Sequence, residues 1–319
     1  MNIVPFETIL AKAANRREVP LRVYIFLVAL ALPGAAARAA DCSVGPAAAA
    51  TANAASIETL AFAPFRRAEV GWATYAPHIA VTIGSACPFV SPGFAAALAR
   101  WQAAHKLPAT GVVDVESFAA MNGGWTLARP FVRATRDGAC PEPPGPEALA
   151  IAAPGESYGG KAIQLRRDAL EAWRAMVAAA RRAVPAATAK SDWLRIYSGF
   201  RAPIDDDLRC AIENNCSGVA RATCSAHRTG TAIDAFVGHA PGMPPDSSDD
   251  ANRRAMSRSA VYRWLVANAR RHGFVNYVFE PWHWEYAAPA RIAGTRTITR
   301  TTVTRTTSTG APVRGMTPE

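Results

Sequence analysis

The sequence predicts an α+β fold in its second half and a small all-α unit ahead of it. Three short apolar runs in the second half have the length and composition of strands: 194–197, 232–237 and 274–279. Helical periodicity surrounds them, over residues 163–184 and 252–272. Because these helices and strands do not alternate regularly, the pattern favours α+β over a doubly wound parallel sheet.

Capping residues support the helices of both halves. In the first half, Ser91 and Pro92 give an N-cap followed by proline at the first helical position. Asp114 begins a second short helix, which the Asn-Gly-Gly run at 122–124 is expected to end. In the second half, Gly273 marks the end of the later helix.

The net charge of +10 lies mostly at the two ends of the chain. Residues 1–39 carry a net +3 and residues 291–319 a net +4, which leaves +3 for the 251 residues between them. A nucleic-acid-binding surface would instead concentrate basic residues on the folded body. The sequence therefore predicts no nucleic-acid partner. The Thr/Arg-rich segment 291–319 has almost no apolar residues and is expected to be disordered.

Residues 1–39 have the organisation of a signal peptide. A ten-residue apolar core at 23–32 follows basic residues and precedes the A-x-A pattern Ala37-Arg38-Ala39. This core is too short to span a bilayer. We therefore expect cleavage after Ala39, export to the periplasm and no stable membrane span in the mature chain. An uncleaved anchor is the alternative.

Six cysteines in an exported chain favour disulfide bonds. Three lie in each half of the chain, so complete oxidation requires at least one bridge between the halves, and fifteen pairings are open. A zinc site at Cys224-x-x-His227 is the weaker alternative, because no second cysteine pair lies at finger spacing. The six are Cys42, Cys87, Cys140, Cys210, Cys216 and Cys224.

Two segments have the composition of linkers. Residues 40–70 are rich in alanine and show little periodicity, and residues 127–160 are rich in proline and glycine. These linkers divide the chain into a helical domain over residues 71–126 and a larger domain over residues 161–290.

Three polar motifs in the second half point to chemistry. They are Ser-Gly-Phe-Arg at 198–201, a longer motif at 225–234 and a third at 280–286. Asp234, at the end of the second motif, lies within an apolar run. A carboxylate is costly to bury there unless it is paired or bound to a metal.

Two imidazoles and one carboxylate are a common catalytic zinc set, with the fourth position left for water. His227, Asp234 and His283 supply that set here. A nearby carboxylate that does not bind the metal can act as general base, and Glu280 stands three residues before His283. The motifs therefore predict a hydrolytic zinc centre.

These motifs resemble S-x-H-x-x-G-x-A-x-D and E-x-W-H of the VanY-like D-alanyl-D-alanine carboxypeptidase family. The resemblance implies that residues 161–290 form a small antiparallel-sheet zinc peptidase domain with flanking helices. It assigns Arg201 to the substrate carboxylate, a role that suits a bidentate guanidinium, and it places Ser225 beside the site. Relatives often carry Gln where Asp205 and Asp206 stand here, which leaves the preferred substrate open. An ion pair with these aspartates is the alternative role for Arg201.

Residues 94–121 resemble the peptidoglycan-binding-like domain, a three-helix module. The signature comprises Trp101-Gln102, Leu107 before the turn at Gly111, and then a short capped helix. The resemblance implies that this all-α unit binds the cell wall.

Together the two resemblances imply a monomeric, zinc-dependent enzyme of the intact cell wall that removes the C-terminal D-alanine of peptidoglycan stem peptides. An L,D-carboxypeptidase or a peptidoglycan endopeptidase is an alternative within the enzymes. A non-catalytic peptidoglycan-binding protein is the alternative from another class.

Overall fold

A computed structural model describes residues 41–186, 188–189, 192–212 and 224–287. The predicted signal peptide, the predicted C-terminal tail and Cys216 lie outside the described residues.

The first half of the chain is helical with one short hairpin. Along this half the elements are α1 (Ala47–Ser56), β1 (Ala61–Phe62), β2 (Glu69–Val70), α2 (Ala76–Thr82), α3 (Pro92–Ala104), α4 (Val115–Ala128) and α5 (Pro130–Ala134).

Both predicted N-caps of this half are confirmed. The side chains of Ser91 and Asp114 each accept a hydrogen bond from the backbone N–H three residues later. The predicted end of the second helix is wrong, because α4 continues through the Asn-Gly-Gly run at 122–124. Glycine in a helix interior costs about 1 kcal/mol relative to alanine. Trp125 offsets that cost, since its Nε1 donates to Thr82 Oγ1 at 2.8 Å on α2.

Residues 40–70, for which the sequence predicted a linker, contain α1 and the β1–β2 hairpin. Asn53 of α1 is buried, and its Nδ2 donates to Gly111 O at 2.9 Å, in the turn after α3. The disulfide Cys42–Cys87 fixes the start of this segment. Alanine contributes little to hydrophobic periodicity, which is why the packed face of α1 was not visible in the sequence.

The second half is a mixed unit built around one sheet, and the predicted α+β class is confirmed. Strands β5, β6, β8 and β7 lie in that spatial order, and every neighbouring pair is antiparallel. The elements are β3 (Leu149–Ile151), β4 (Gln164–Arg166), α6 (Arg167–Ala183), β5 (Ile196–Ser198), α7 (Pro203–Ile212), β6 (Ala232–Ala235), α8 (Asp250–Ser257), α9 (Ala260–Asn268), β7 (Phe274–Asn276) and β8 (His283–Tyr286).

The helices α6 and α9 share one hydrophobic core with this sheet. Their apolar faces contribute Trp173 and Leu265, which lie in the same buried cluster as Phe274 and Trp284 of the strands. Complete burial of an aromatic or leucine side chain contributes roughly 1.5–3 kcal/mol to folding. The sheet is therefore a rigid base for side chains that face the opposite way.

Two helix boundaries differ from the prediction. Strand β4 occupies the first residues of the helix predicted over 163–184, because it pairs with β3. The helix predicted over 252–272 is two helices, since Ser259 caps α9 by accepting a hydrogen bond from Tyr262 N. Gly273 ends the helical segment in the left-handed conformation, with φ of 81°, as predicted.

The first half packs directly on the second. Arg253 of α8 is fully buried, and its Nη1 lies 3.2 Å from Glu69 Oε1 on β2. The same guanidinium contacts the Tyr75 hydroxyl and donates from Nε to Phe279 O at 2.7 Å. Val278 belongs to the hydrophobic core of the first half. Breaking a buried ion pair of this kind costs about 3–5 kcal/mol, so the two halves stabilise each other.

Residues 127–160, also predicted to be a linker, contain α5 and β3. The disulfide Cys140–Cys224 joins this segment to the second half, and it confirms the bridge that the cysteine distribution required. Cys210 is also disulfide-bonded. Among the described residues, no helix has the length and apolar character needed to cross a membrane.

Candidate active site

The register of two central strands brings together the two predicted metal ligands of the sheet. Asp234 of β6 is the partner of His283 of β8 across the ladder. His283 Nδ1 lies 2.9 Å from Asp234 Oδ1. His227, on the short helical turn before β6, places its Nε2 3.2 Å from Asp234 Oδ2. The three predicted ligands are all buried, and their donor atoms lie within 4.8 Å of one another.

A backbone carbonyl fixes the orientation of the His227 imidazole. Its Nδ1 lies 2.8 Å from Gly199 O, so the Nδ1–H donates to that carbonyl and the lone pair of Nε2 faces Asp234. The turn that carries His227 ends at Gly230, whose φ of 68° is in the left-handed region that favours glycine. The glycine of the sequence motif therefore shapes the loop that presents the imidazole.

The donor set fits a tetrahedral zinc ion. Zinc bonds of about 2.0–2.1 Å to nitrogen and oxygen give tetrahedral edges of roughly 3.3 Å between ligand atoms. Asp234 lies at similar distances from both imidazoles, with Oδ1 2.9 Å from His283 Nδ1 and Oδ2 3.2 Å from His227 Nε2. One donor atom from each of the three residues lies within 4.8 Å of the others. Two imidazole nitrogens and one carboxylate are also a donor type that zinc prefers.

The electrostatics of the cluster favour a cation at its centre. Burial alone would raise the pKa of Asp234, but His227 and His283 hold it well below its usual range. Burial alone would lower the pKa of His283, but the Asp234 and Glu285 carboxylates raise it to about 10. The Asp234 and Glu285 carboxylates therefore favour positive charge at the imidazole of His283.

Glu280 faces the same cavity from the loop between β7 and β8. This cavity, of about 850 Å³, is also lined by His227, Asp234 and His283. The turn is held by Glu280 N donating to Tyr277 O at 2.8 Å. Burial raises the pKa of Glu280, and the nearby charge of Asp234 raises it further. A carboxylate whose pKa moves toward neutrality is suited to act as a general base.

Arg201 and Ser225 line this cavity too, and a buried carboxylate joins them. Arg201 Nη1 lies 2.9 Å from Asp206 Oδ1, and Ser225 Oγ donates to Asp206 Oδ2 at 2.9 Å. Both predicted environments of Arg201 are therefore present together, the ion pair and the cavity wall. Asp206 was noted in the sequence as a departure from the family pattern and as an alternative partner for Arg201, but its contact with Ser225 was not foreseen.

Two further site residues were missed. Glu285 lies two residues beyond the last motif ligand, and its Oε1 is 3.4 Å from His283 Nε2. Arg129 lines the cavity from the segment between α4 and α5, which the sequence suggested was a linker. Arg129 contacts Glu285, which lies 156 positions further along the chain. Periodicity and motif spacing carry no signal for a contact over that separation.

Residues 162–289 match the family model described as VanY, D-alanyl-D-alanine carboxypeptidase. These residues therefore form a VanY-family domain. Membership of this family supports peptidoglycan carboxypeptidase activity, as the motifs implied. A solved structure of the LdcB LD-carboxypeptidase, reported to reveal the molecular basis of peptidoglycan recognition, is similar at 21% identity with a TM-score of 0.31. The similarity covers 46% of this chain and 71% of that one. A search of curated proteins found no match.

Proposed function

We propose that this chain is a zinc-dependent D-alanyl-D-alanine carboxypeptidase that removes the terminal D-alanine of peptidoglycan stem peptides. The observation that carries the proposal is the buried His227, Asp234 and His283 donor set, which opens into the cavity that holds Glu280 and Arg201. The family description of residues 162–289 supports the choice of bond.

His227 Nε2, an oxygen of Asp234 and His283 Nδ1 would hold the zinc ion. The ion would supply Lewis acidity and make water nucleophilic near pH 7. Glu280 takes a proton from the attacking water and returns it to the nitrogen of the departing amino acid. Its burial suits this exchange, because a carboxylate that is poorly solvated accepts and releases a proton closer to neutral pH.

Arg201 selects and orients the substrate by its free C-terminal carboxylate. The guanidinium carries five N–H donors in a planar fork, and the contact with Asp206 is made from Nη1. Asp206 thus holds the fork in place, and another edge of it is suited to a second carboxylate. This arrangement favours carboxypeptidase over endopeptidase action, because an internal peptide bond offers no terminal charge.

Defined muropeptides with tri-, tetra- and pentapeptide stems test the proposal, with products identified by mass. The expected result is loss of one alanine from the pentapeptide, abolished by a chelator and restored by zinc. Loss of one alanine from the tetrapeptide instead would make the enzyme an L,D-carboxypeptidase, and cleavage of cross-linked stems would make it an endopeptidase. Binding without any product would favour the non-catalytic alternative.

The first half of the chain is proposed to hold the enzyme on the wall and so raise the local concentration of its substrate. Two disulfide bonds support export to an oxidising compartment such as the periplasm. The catalytically inactive Glu280→Gln protein should be retained on intact sacculi whose stems have already been trimmed. No retention of this protein on the trimmed sacculi would count against this role.

A further inference from the structure

Arg129, between α4 and α5, and Phe131, in the first turn of α5, bind a buried carboxylate of the four-stranded sheet. Arg129 donates to Glu285 Oε1 from Nε at 2.7 Å and from Nη2 at 2.5 Å. Phe131 N donates to the other oxygen, Oε2, at 2.8 Å. The Arg129 guanidinium also lies over the Tyr277 ring, 3.9 Å from its centroid. Both oxygens of Glu285 are therefore fixed by residues outside the sheet.

Glu285 is a close neighbour of a proposed zinc ligand. It stands two residues after His283 on β8, and side chains two apart on a strand point to the same face. Its Oε1 lies 3.4 Å from His283 Nε2, slightly beyond an ordinary N–H···O distance. Nε2 is buried and has no hydrogen-bond partner among the described residues. Glu285 is thus well placed to accept the Nε2–H.

The state of His283 depends on that acceptor. When Nδ1 binds a metal, the neutral imidazole carries its proton on Nε2. A carboxylate that accepts this proton fixes the tautomer, orients the ring and makes the coordinating nitrogen more basic. Glu285 is only 1% exposed, so its carboxylate keeps its position beside the imidazole through the groups that donate to it. Arg129 donates twice to Oε1 and supplies the matching positive charge.

We propose that Arg129 is a positioning residue of the zinc site, which acts through Glu285 on His283. The inference rests on the proposed zinc-dependent function and extends it. It makes Arg129, which lies between two helices of the first half, part of the active-site wall. The first half of the chain would then contribute to metal binding, in addition to any contact with the cell wall.

The test is the zinc affinity of the full mature chain, measured on apo-protein with a competing chelator. Arg129→Gln is expected to weaken zinc binding by about 10- to 100-fold, the range typical for loss of such a supporting partner. Arg129→Lys should recover part of the loss, because it keeps the charge without the fork. Arg133→Gln is the matched control, since Arg133 is an exposed arginine of α5, and its zinc affinity should equal that of the wild type.

The double variant Arg129→Gln/Glu285→Gln separates positioning from folding. It leaves a neutral pair that can still form a hydrogen bond, so thermal unfolding of its apo-form should stay near that of the wild type. Its zinc affinity should remain low, because the carboxylate beside His283 Nε2 is gone. The visible spectrum of the cobalt-substituted protein should shift in Arg129→Gln and in this double variant, because the orientation of His283 changes in each.

Wild-type zinc affinity and an unchanged cobalt spectrum in a folded Arg129→Gln protein would overturn the inference and leave the proposed function standing. A wild-type protein that binds no zinc would overturn the proposed function, and the inference with it. A loss of zinc affinity in Arg133→Gln as large as that in Arg129→Gln would also overturn the inference, because the effect would not depend on Glu285.

Discussion

Replacing Arg201 with alanine removes a side chain that has one partner in the folded protein and another in the proposed substrate complex. Arg201 Nη1 lies 2.9 Å from Asp206 Oδ1, and the side chains are 19% and 2% exposed, respectively. Leaving Asp206 buried without its counter-charge should lower the free energy of unfolding by about 3 kcal/mol, the lower end for buried pairs. Loss of the charge-assisted substrate contact, worth about 1.5–3 kcal/mol, should reduce kcat/KM by roughly 10- to 150-fold.

The assay compares a peptide that ends in a free carboxylate with its C-terminal amide. Amidation should lower kcat/KM of the wild-type enzyme by most of that factor. It should lower kcat/KM of Arg201→Ala only slightly. The matched control is Arg201→Ala/Asp206→Ala, which removes the unpaired carboxylate and should regain much of the stability in denaturant unfolding. Its kcat/KM on the free acid should stay low. Wild-type turnover by the double variant, or equal hydrolysis of acid and amide by the wild type, would refute the assigned role.

Three further perturbations have expected outcomes. Glu280→Gln should retain one zinc ion per chain by metal analysis yet lose most of its activity, since it removes the base and no ligand; near-normal turnover would show that another group takes the proton. His283→Ala should lose the metal as well, and a full zinc complement would exclude it as a ligand. Deleting residues 40–126 should lower the unfolding temperature or prevent folding, because it strips Glu69 from the buried Arg253; an equally stable truncation would mean that this interface contributes little.

The grouping of the candidate site residues was predictable from the sequence because they stand in short motifs. Asp234 was singled out as a carboxylate inside an apolar run, and the strand register then set it opposite His283. The Ser91 and Asp114 caps and the stop at Gly273 were also predictable, since each depends on local backbone chemistry.

What could not be predicted depends on contacts between distant parts of the chain. The hydrogen bond from Trp125 to Thr82 stabilises α4 beyond its two glycines. A prediction from local sequence takes account of the glycines but not of this contact. Arg129 meets Glu285 across 156 positions, within a segment whose composition indicates a linker. Strand β8 was missed because its motif residues are buried on both faces and show no alternation.

Anomalous X-ray scattering at the zinc absorption edge, from crystals of catalytically active protein, tests the central claim most directly. The expected result is one strong peak at bonding distance from His227 Nε2, a carboxylate oxygen of Asp234 and His283 Nδ1. Glu280 should lie nearby without contacting the ion. Active crystals with no peak among these three side chains, or with zinc held by other atoms, would contradict the assignment.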